Sequence, residues 1–153
     1  MDPSARLKEL GIVLPPPPAP VANYVPFVIT GNLLAISGQI SRAADGTILT
    51  GPVPTKISVE QAIQGARQAG INIIAQIHTA LRGDLTRVKR IVRLGAFVNC
   101  ASDFTDQPKV ANGASDLMVD VFGLAGRHAR AAVGVNALPL GAAVEVDALV
   151  EIT

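Results

Sequence analysis

The sequence predicts an α+β domain in which the elements run β-β-α-β-α-β-β and both helices pack on one face of a single sheet. Three observations carry that expectation. Two segments, 58–83 and 108–126, repeat apolar residues at helical spacing and close on glycine. The stretches 24–40, 87–99 and 131–152 are instead rich in valine, isoleucine and alternating patterns. The last run, "AAVEVDALVEI", alternates so regularly that Val144, Val146, Ala148, Val150 and Ile152 share one face and Glu145, Asp147 and Glu151 the other. With 153 residues, 49% of them hydrophobic, the chain can fill one domain of ordinary size.

A short helix is predicted from Pro3 to Leu10, with Asp2 as N-cap, proline at the first helical position and Gly11 as the stop. "PPPPAP" at 15–20 reads as an extended spacer, so residues 1–22 form an N-terminal helix and proline-rich linker ahead of a domain at 23–153. "YVPFVIT" and "LLAISGQI" form a hairpin across Gly31-Asn32, a pair that tolerates positive φ. "SRAADGTILTG" is a loop with a short edge piece around Asp45-Gly46. Ser58 and Gln61 make a capping-box pattern that opens the first long helix, whose core stripe is Ile63, Ala66, Gly70, Ile73, Ile74, Ile77 and Leu81. In the strand 87–99, Val88, Val92, Leu94, Ala96 and Val98 are in phase, with Lys89 and Arg93 facing the other way. A second helix follows Pro108, buries Ala114, Leu117, Met118, Val121 and Phe122, and stops at Gly126. "AAVGVNAL" and "AAVEVDALVEI" are two strands joined by Pro139-Leu140-Gly141.

Charge narrows the classes of function. Lys and Arg total 13 against 12 Asp and Glu, a net charge of +1, which leaves no electrostatic footprint for nucleic acid. The single Cys100 excludes an internal disulfide and has no clustered partners at zinc spacing, so no metal site is expected. The first residues lack a basic segment followed by an apolar run, and no window approaches the ~20 apolar residues of a membrane span, so a cytoplasmic protein is expected. Only 16% of residues are charged, which predicts that some apolar surface is covered by another subunit. The acidic face of 144–152 must meet water or a partner that brings cations. Lys89, Arg93, Arg127 and Arg130 are the cations within the chain that could answer it.

The segments "NYVPFVITGNLLAISGQI", "VKRIVRLGAFVNCASDF", "VANGASDLMVDVFG" and "ARAAVGVNALPLGAAVEVDALVEI" resemble the Rid/YjgF family of imine and enamine deaminases, also known as L-PSP endoribonucleases and translation inhibitors. The resemblance spans most of the chain after residue 22. It implies a bacillary chorismate-mutase-like domain, assembled as a homotrimer whose sheets form a barrel-like interior with a pocket at each subunit interface. The implied substrate is a small carboxylate-bearing molecule, no cofactor is implied, and the implied reaction hydrolyses a 2-imino acid such as 2-iminopropionate to a 2-keto acid and ammonia. The family's substrate-binding arginine falls on Arg130, and its acidic residue near the attacking water falls on Glu145. Tyr24 matches a pocket-lining tyrosine, and Ser37 and Gly38 match the "SGQ" corner. An arginine suits the anchoring role because its planar fork takes a carboxylate through two parallel hydrogen bonds. A non-catalytic carboxylate binder or regulatory trimer using the same arginine is the alternative. Ribonuclease action follows only from family naming, since no histidine pair or basic aromatic surface supports it.

Turn geometry adds an expectation about assembly. If the last two strands fold back about Leu140, Arg130 lies opposite about residue 150 and Glu145 opposite about residue 135, an offset on the order of 15 Å. Glu145 is then expected to complete the site from a neighbouring chain or from an adjoining sheet surface. The sequence departs from the deaminase pattern where Ala131 and Ala132 replace Ser-Cys after the arginine, where His128 replaces a proline, and where "TDQPK" lengthens a loop. His128 reads as a residue at the pocket rim, His78 as surface, Arg127 as a surface neighbour and Cys100 as a small apolar residue at a strand end.

Overall fold

The computed structural model describes residues 2–17 and 23–153. Helix α1 spans Pro3–Glu9, with the Asp2 carboxylate accepting from the Ser4 N–H at 3.0 Å and Gly11 turning the chain out at φ +69°. Leu7 is buried and Arg6 Nε donates to the Asp120 carbonyl at 2.9 Å, so this short helix is docked by tertiary contacts rather than held by its own propensity. Residues 12–17 have no regular structure, and 18–20 of the proline-rich stretch lie outside the described residues.

Strands β1 (Phe27–Thr30) and β2 (Leu33–Ile40) pair antiparallel across Gly31-Asn32, with Gly31 at φ +58°. Helix α2 (Val59–Ala80) opens with the expected capping box: the Gln61 N–H donates to Ser58 Oγ at 3.1 Å and the Ser58 N–H to Gln61 Oε1 at 2.9 Å. Then follow β3 (Val88–Asn99), α3 (Gln107–Phe122), β4 (Ala129–Val135) and β5 (Val144–Ile152). The sheet order is β1-β2-β5-β3-β4, antiparallel throughout except for the parallel pair β3 and β4. Both long helices lie on one face, where Ile73, Ile74, Leu117 and Met118 close over Leu34, Ile91, Leu94, Val146 and Val150. The helices approach each other closely, because a Cβ on Gly113 would fall well inside contact distance of the Ile63 carbonyl.

Three expectations change. The last two strands are not a hairpin: β4 lies at the sheet edge beside β3, and β5 lies on the other side of β3. The reason is the crossover through α3, which makes β4 parallel to β3 and places it outside. The connection 136–143 then passes the end of β3, where Asn99 holds it by donating its backbone N–H to the Ala143 carbonyl at 2.9 Å and its side-chain amide to Ala142 at 3.2 Å. In β3, register shifts at Val88/Arg90 and Ile91/Arg93 bring Ile91 into the core in place of Val92. Helix α3 starts at Gln107 and ends at Gly123 (φ +61°), and Gly126 instead ends the 3-10 turn Gly123–Gly126 that follows.

Candidate functional site

Pairing fixes which way the edge strand faces. Arg130, Ala132 and Gly134 of β4 stand opposite Leu94, Ala96 and Val98, all buried beneath the helices, so this row of β4 looks toward α3. Arg130 is exposed, and its Nη1 donates to Asn112 Oδ1 at 2.9 Å and to Ser115 Oγ at 3.1 Å. Asn112 and Ser115 are three apart on α3 and therefore point the same way. Both hydrogens of Nη1 are thus committed to the helix. The remaining edge, Nε and Nη2, has no hydrogen bond or ion pair among the described residues.

Ser115 is held in turn. His128 Nε2 lies 2.8 Å from Ser115 Oγ, and His128 Nδ1 lies 2.6 Å from the Gly126 carbonyl oxygen. A carbonyl only accepts, so Nδ1 carries a hydrogen, and in the neutral ring Nε2 accepts the Ser115 O–H. The Gly126 carbonyl is itself placed by packing: a Cβ on Gly126 would overlap the Met118 carbonyl, so only glycine lets the turn lie this close to α3. Asn112, Ser115, His128 and Arg130 are one connected polar cluster.

Glu145 lies on the other face of the sheet. It pairs with Ile40 and Phe97, and its neighbours Val144 and Val146 point into the core. It is half-buried, and its carboxyl is pushed above the usual range by desolvation and, second, by the charge of Asp147. Gly38 leaves it room, since a Cβ there would lie 2.8 Å from Glu145 Cδ. Asp147 accepts from the Gly95 N–H at 3.0 Å, and Glu151 pairs with Lys89 at 3.1 Å. Ser37 Oγ donates to the Val25 carbonyl at 2.7 Å, which ties down the segment just after the exposed Tyr24. So Glu145, Gly38 and Lys89 share the face that no helix covers, while Arg130 belongs to the helix side.

The expected hairpin opposition of Arg130 and Glu145 is therefore replaced by another offset. Arg130 sits in the row of Leu94, and Glu145 in the row of Phe97 two strands away. That is ~10 Å along the strands and ~10 Å across them, on opposite faces, so one chain does not bring the two together. Cys100 is partly buried at the end of β3, where Gln107 Nε2 approaches its Sγ at 3.6 Å. It borders an open groove of about 400 Å³ that also reaches Phe104, Gly134 and Asn136 but not Arg130. His78 is exposed, as is Arg127. Among the described residues no three His, Cys, Asp or Glu side chains converge to hold a metal ion, and no helix is long and apolar enough to cross a membrane. The sequence reading missed Asn112 and Ser115 as site residues; their one signal is a polar pair at i, i+3 set against the apolar stripe of α3.

A mixed sheet with both helices on one face, and an arginine clamped at its edge by the crossover helix, defines the class: a chorismate-mutase-like α+β domain. The family model described as "YjgF/chorismate mutase-like, putative endoribonuclease" matches residues 4–152, and the chain belongs to this YjgF family. It is similar to protein TCP17 of Trypanosoma cruzi, 50% identical over 97% of this chain and 93% of that protein. The crystal structure of the protein Atu1372 from Agrobacterium tumefaciens, of unknown function, is 46% identical, with TM-score 0.93 over 99% of this chain and 92% of that one. The crystal structure of RidA from an Antarctic Psychrobacter is more distant, 27% identical with TM-score 0.60 over 89% of this chain and 94% of that one.

Proposed function

We propose that this protein hydrolyses small reactive 2-imino or enamine acids, such as 2-iminopropionate, to 2-keto acids and ammonia. The observation that carries the reading is the half-satisfied guanidinium of Arg130. Its Nη1 is fixed on Asn112 and Ser115, and its Nε/Nη2 edge is left to take a carboxylate side-on. An anchored carboxylate holds the adjacent C=N carbon in place for water, which is most of what an already electrophilic imine needs. Glu145 of a neighbouring subunit receives the water's proton, a role helped by a carboxyl held above its usual range. A homotrimer that sets the uncovered sheet face of one subunit against the Arg130 edge of the next would build that site.

The test is consumption of 2-iminopropionate by the wild type and by Arg130→Ala, with pyruvate titrated as a carboxylate probe. Arg130→Ala is expected to weaken pyruvate binding roughly 10- to 100-fold, the loss of a charged hydrogen-bond pair, and to lose turnover with it. Equal turnover in both proteins would remove Arg130 from the mechanism. The second reading, a carboxylate binder without chemistry, is favoured by the distance of Glu145 from the clamp within one chain; pyruvate binding without turnover in the wild type would establish it.

A further inference from the structure

We propose that the pocket beneath the N-terminal proline segment is a second ligand site, which takes a short hydroxycarboxylate with its hydroxyl on Gln76 and its carboxylate on Arg42. Gln76 of α2 is only 2% exposed, and its Oε1 accepts no hydrogen bond among the described residues. An amide oxygen left dry at that depth is destabilising. Gln76 lines a pocket of about 170 Å³, closed by Pro15, Pro16 and Pro17 on one side and by α2 and the loop after β2 on the other. Proline has no N–H, so that wall brings Gln76 no donor. The neighbouring donors are spent elsewhere. Asn72 gives its amide hydrogens to the Ile40 and Arg42 carbonyls at 3.2 and 3.0 Å, and the Arg42, Ala43 and Gly46 N–H groups bond within the segment 40–47. The pocket is several times the ~30 Å³ of one water, so it has room for a molecule of a few carbons.

The lining selects the chemistry of that molecule. Its side chains include one cation, the exposed Arg42 at the mouth, and no Asp or Glu. The nearest acid in sequence, Asp45, turns its carboxylate to the Thr47 N–H at 3.0 Å, and Arg42 forms no ion pair among the described residues. An anion is therefore favoured at the Arg42 end. At the Gln76 end an ammonium would be buried against a neutral amide with no counter-charge, so the donor that fits is uncharged, and a hydroxyl is the smallest. Between the two ends, Ala43, Ala44, Ala75 and the prolines offer apolar contact to a short carbon chain. This site is separate from the Arg130 cluster. Gln39, which borders it, pairs with Val146 in the row that the helices cover, and β2 lies three strands from β4. That is on the order of 14 Å across the sheet, on the face opposite Glu145.

The experiment titrates the full chain with 3-hydroxybutyrate, butyrate, 3-aminobutyrate and 1,3-butanediol, read by calorimetry and by the shift of melting temperature. 3-Hydroxybutyrate is expected to bind about tenfold more tightly than butyrate, which lacks the donor, and roughly 10- to 100-fold more tightly than the diol, which lacks the anion. 3-Aminobutyrate is expected to bind more weakly than 3-hydroxybutyrate. Gln76→Leu is expected to melt higher than the wild type, because the dry amide oxygen is gone, and to lose the preference for 3-hydroxybutyrate over butyrate. Arg42→Gln, at an exposed position, is expected to fold as the wild type does and to weaken 3-hydroxybutyrate about tenfold or more. Arg130→Ala removes the other carboxylate anchor and is expected to leave 3-hydroxybutyrate binding within about twofold. Butyrate bound as tightly as 3-hydroxybutyrate, or 3-hydroxybutyrate binding unchanged in either Gln76→Leu or Arg42→Gln, would overturn the proposal. So would binding lost in Arg130→Ala, which puts the ligand at the other site, or a wild type that does not bind 3-hydroxybutyrate at millimolar concentration.

Discussion

Arg130 and Glu145 are oriented by opposite means. The arginine is satisfied on one side and open on the other, whereas the carboxylate of Glu145 is simply short of water. The second condition has a stability consequence. The Glu145 carboxyl is raised in the folded chain, so the folded state binds its proton more tightly than the unfolded state, and stability is lost as pH rises through and above the ordinary carboxylate range. Glu145→Gln is therefore expected to melt higher than the wild type at neutral pH, with the gap closing on the acid side. Thermal melts of both proteins at several pH values measure it, and an equal melting temperature throughout would show that the charge is not strained. The family resemblance singles out Arg130 and Glu145 in the sequence as the residues proposed for the site. The contacts of Arg130 with Asn112 and Ser115, and of Ser115 with His128, are not legible there, because the cluster joins residues of α3 and β4 that only the crossover brings together.

At the scale of elements, the packing of α3 decides where the polar cluster stands. Gly113 lets α3 lie against the backbone of α2 at Ile63, and one turn of the helix carries Asn112 and Ser115. Gly113→Ala pushes a methyl into that backbone, which cannot move aside as a side-chain tip can. We expect a loss of ~1–3 kcal/mol in stability, read as a drop of several degrees in melting temperature. A melting temperature within one degree or so of wild type would show that the helices part easily. Capping, turn and alternation signals were readable in order for α1, β1, β2, α2 and β5, because each depends on neighbours in sequence. The register shifts of β3 and the placement of β4 were not readable. A bulge costs one residue of phase without changing composition, and the choice between hairpin and edge strand is made by the crossover through α3, with Asn99 holding the connection 136–143 past the end of β3.

At the scale of the molecule, the sheet has one face that the helices do not cover. There Val28 remains 50% and Val133 45% exposed, beside Glu145, Asp147 and the Lys89–Glu151 pair. An apolar and charged face of this kind fits a subunit contact. If each site takes Arg130 from one subunit and Glu145 from the next, the two defects can complement each other. Equal amounts of Arg130→Ala and Glu145→Gln chains, unfolded and refolded together, are expected to regain about one quarter of wild-type turnover, because that fraction of interfaces pairs two intact halves. Activity no greater than the sum of the separate variants would place both residues in one subunit's site.

The crossover β3–α3–β4 has a consequence of its own. The hydrogen bonds that orient Arg130 lie in one continuous stretch of chain, from the turn of Gly126 back to Asn112 and forward to the edge strand, so the anchoring half of the proposed site is complete in a lone subunit. Glu145, proposed to handle the water, is on a face that such a subunit cannot turn toward its own arginine. A dilute chain would then carry its ligand without converting it, and the chemistry would switch on with abundance, so that the amount of protein made would set the activity of each copy as well as their number.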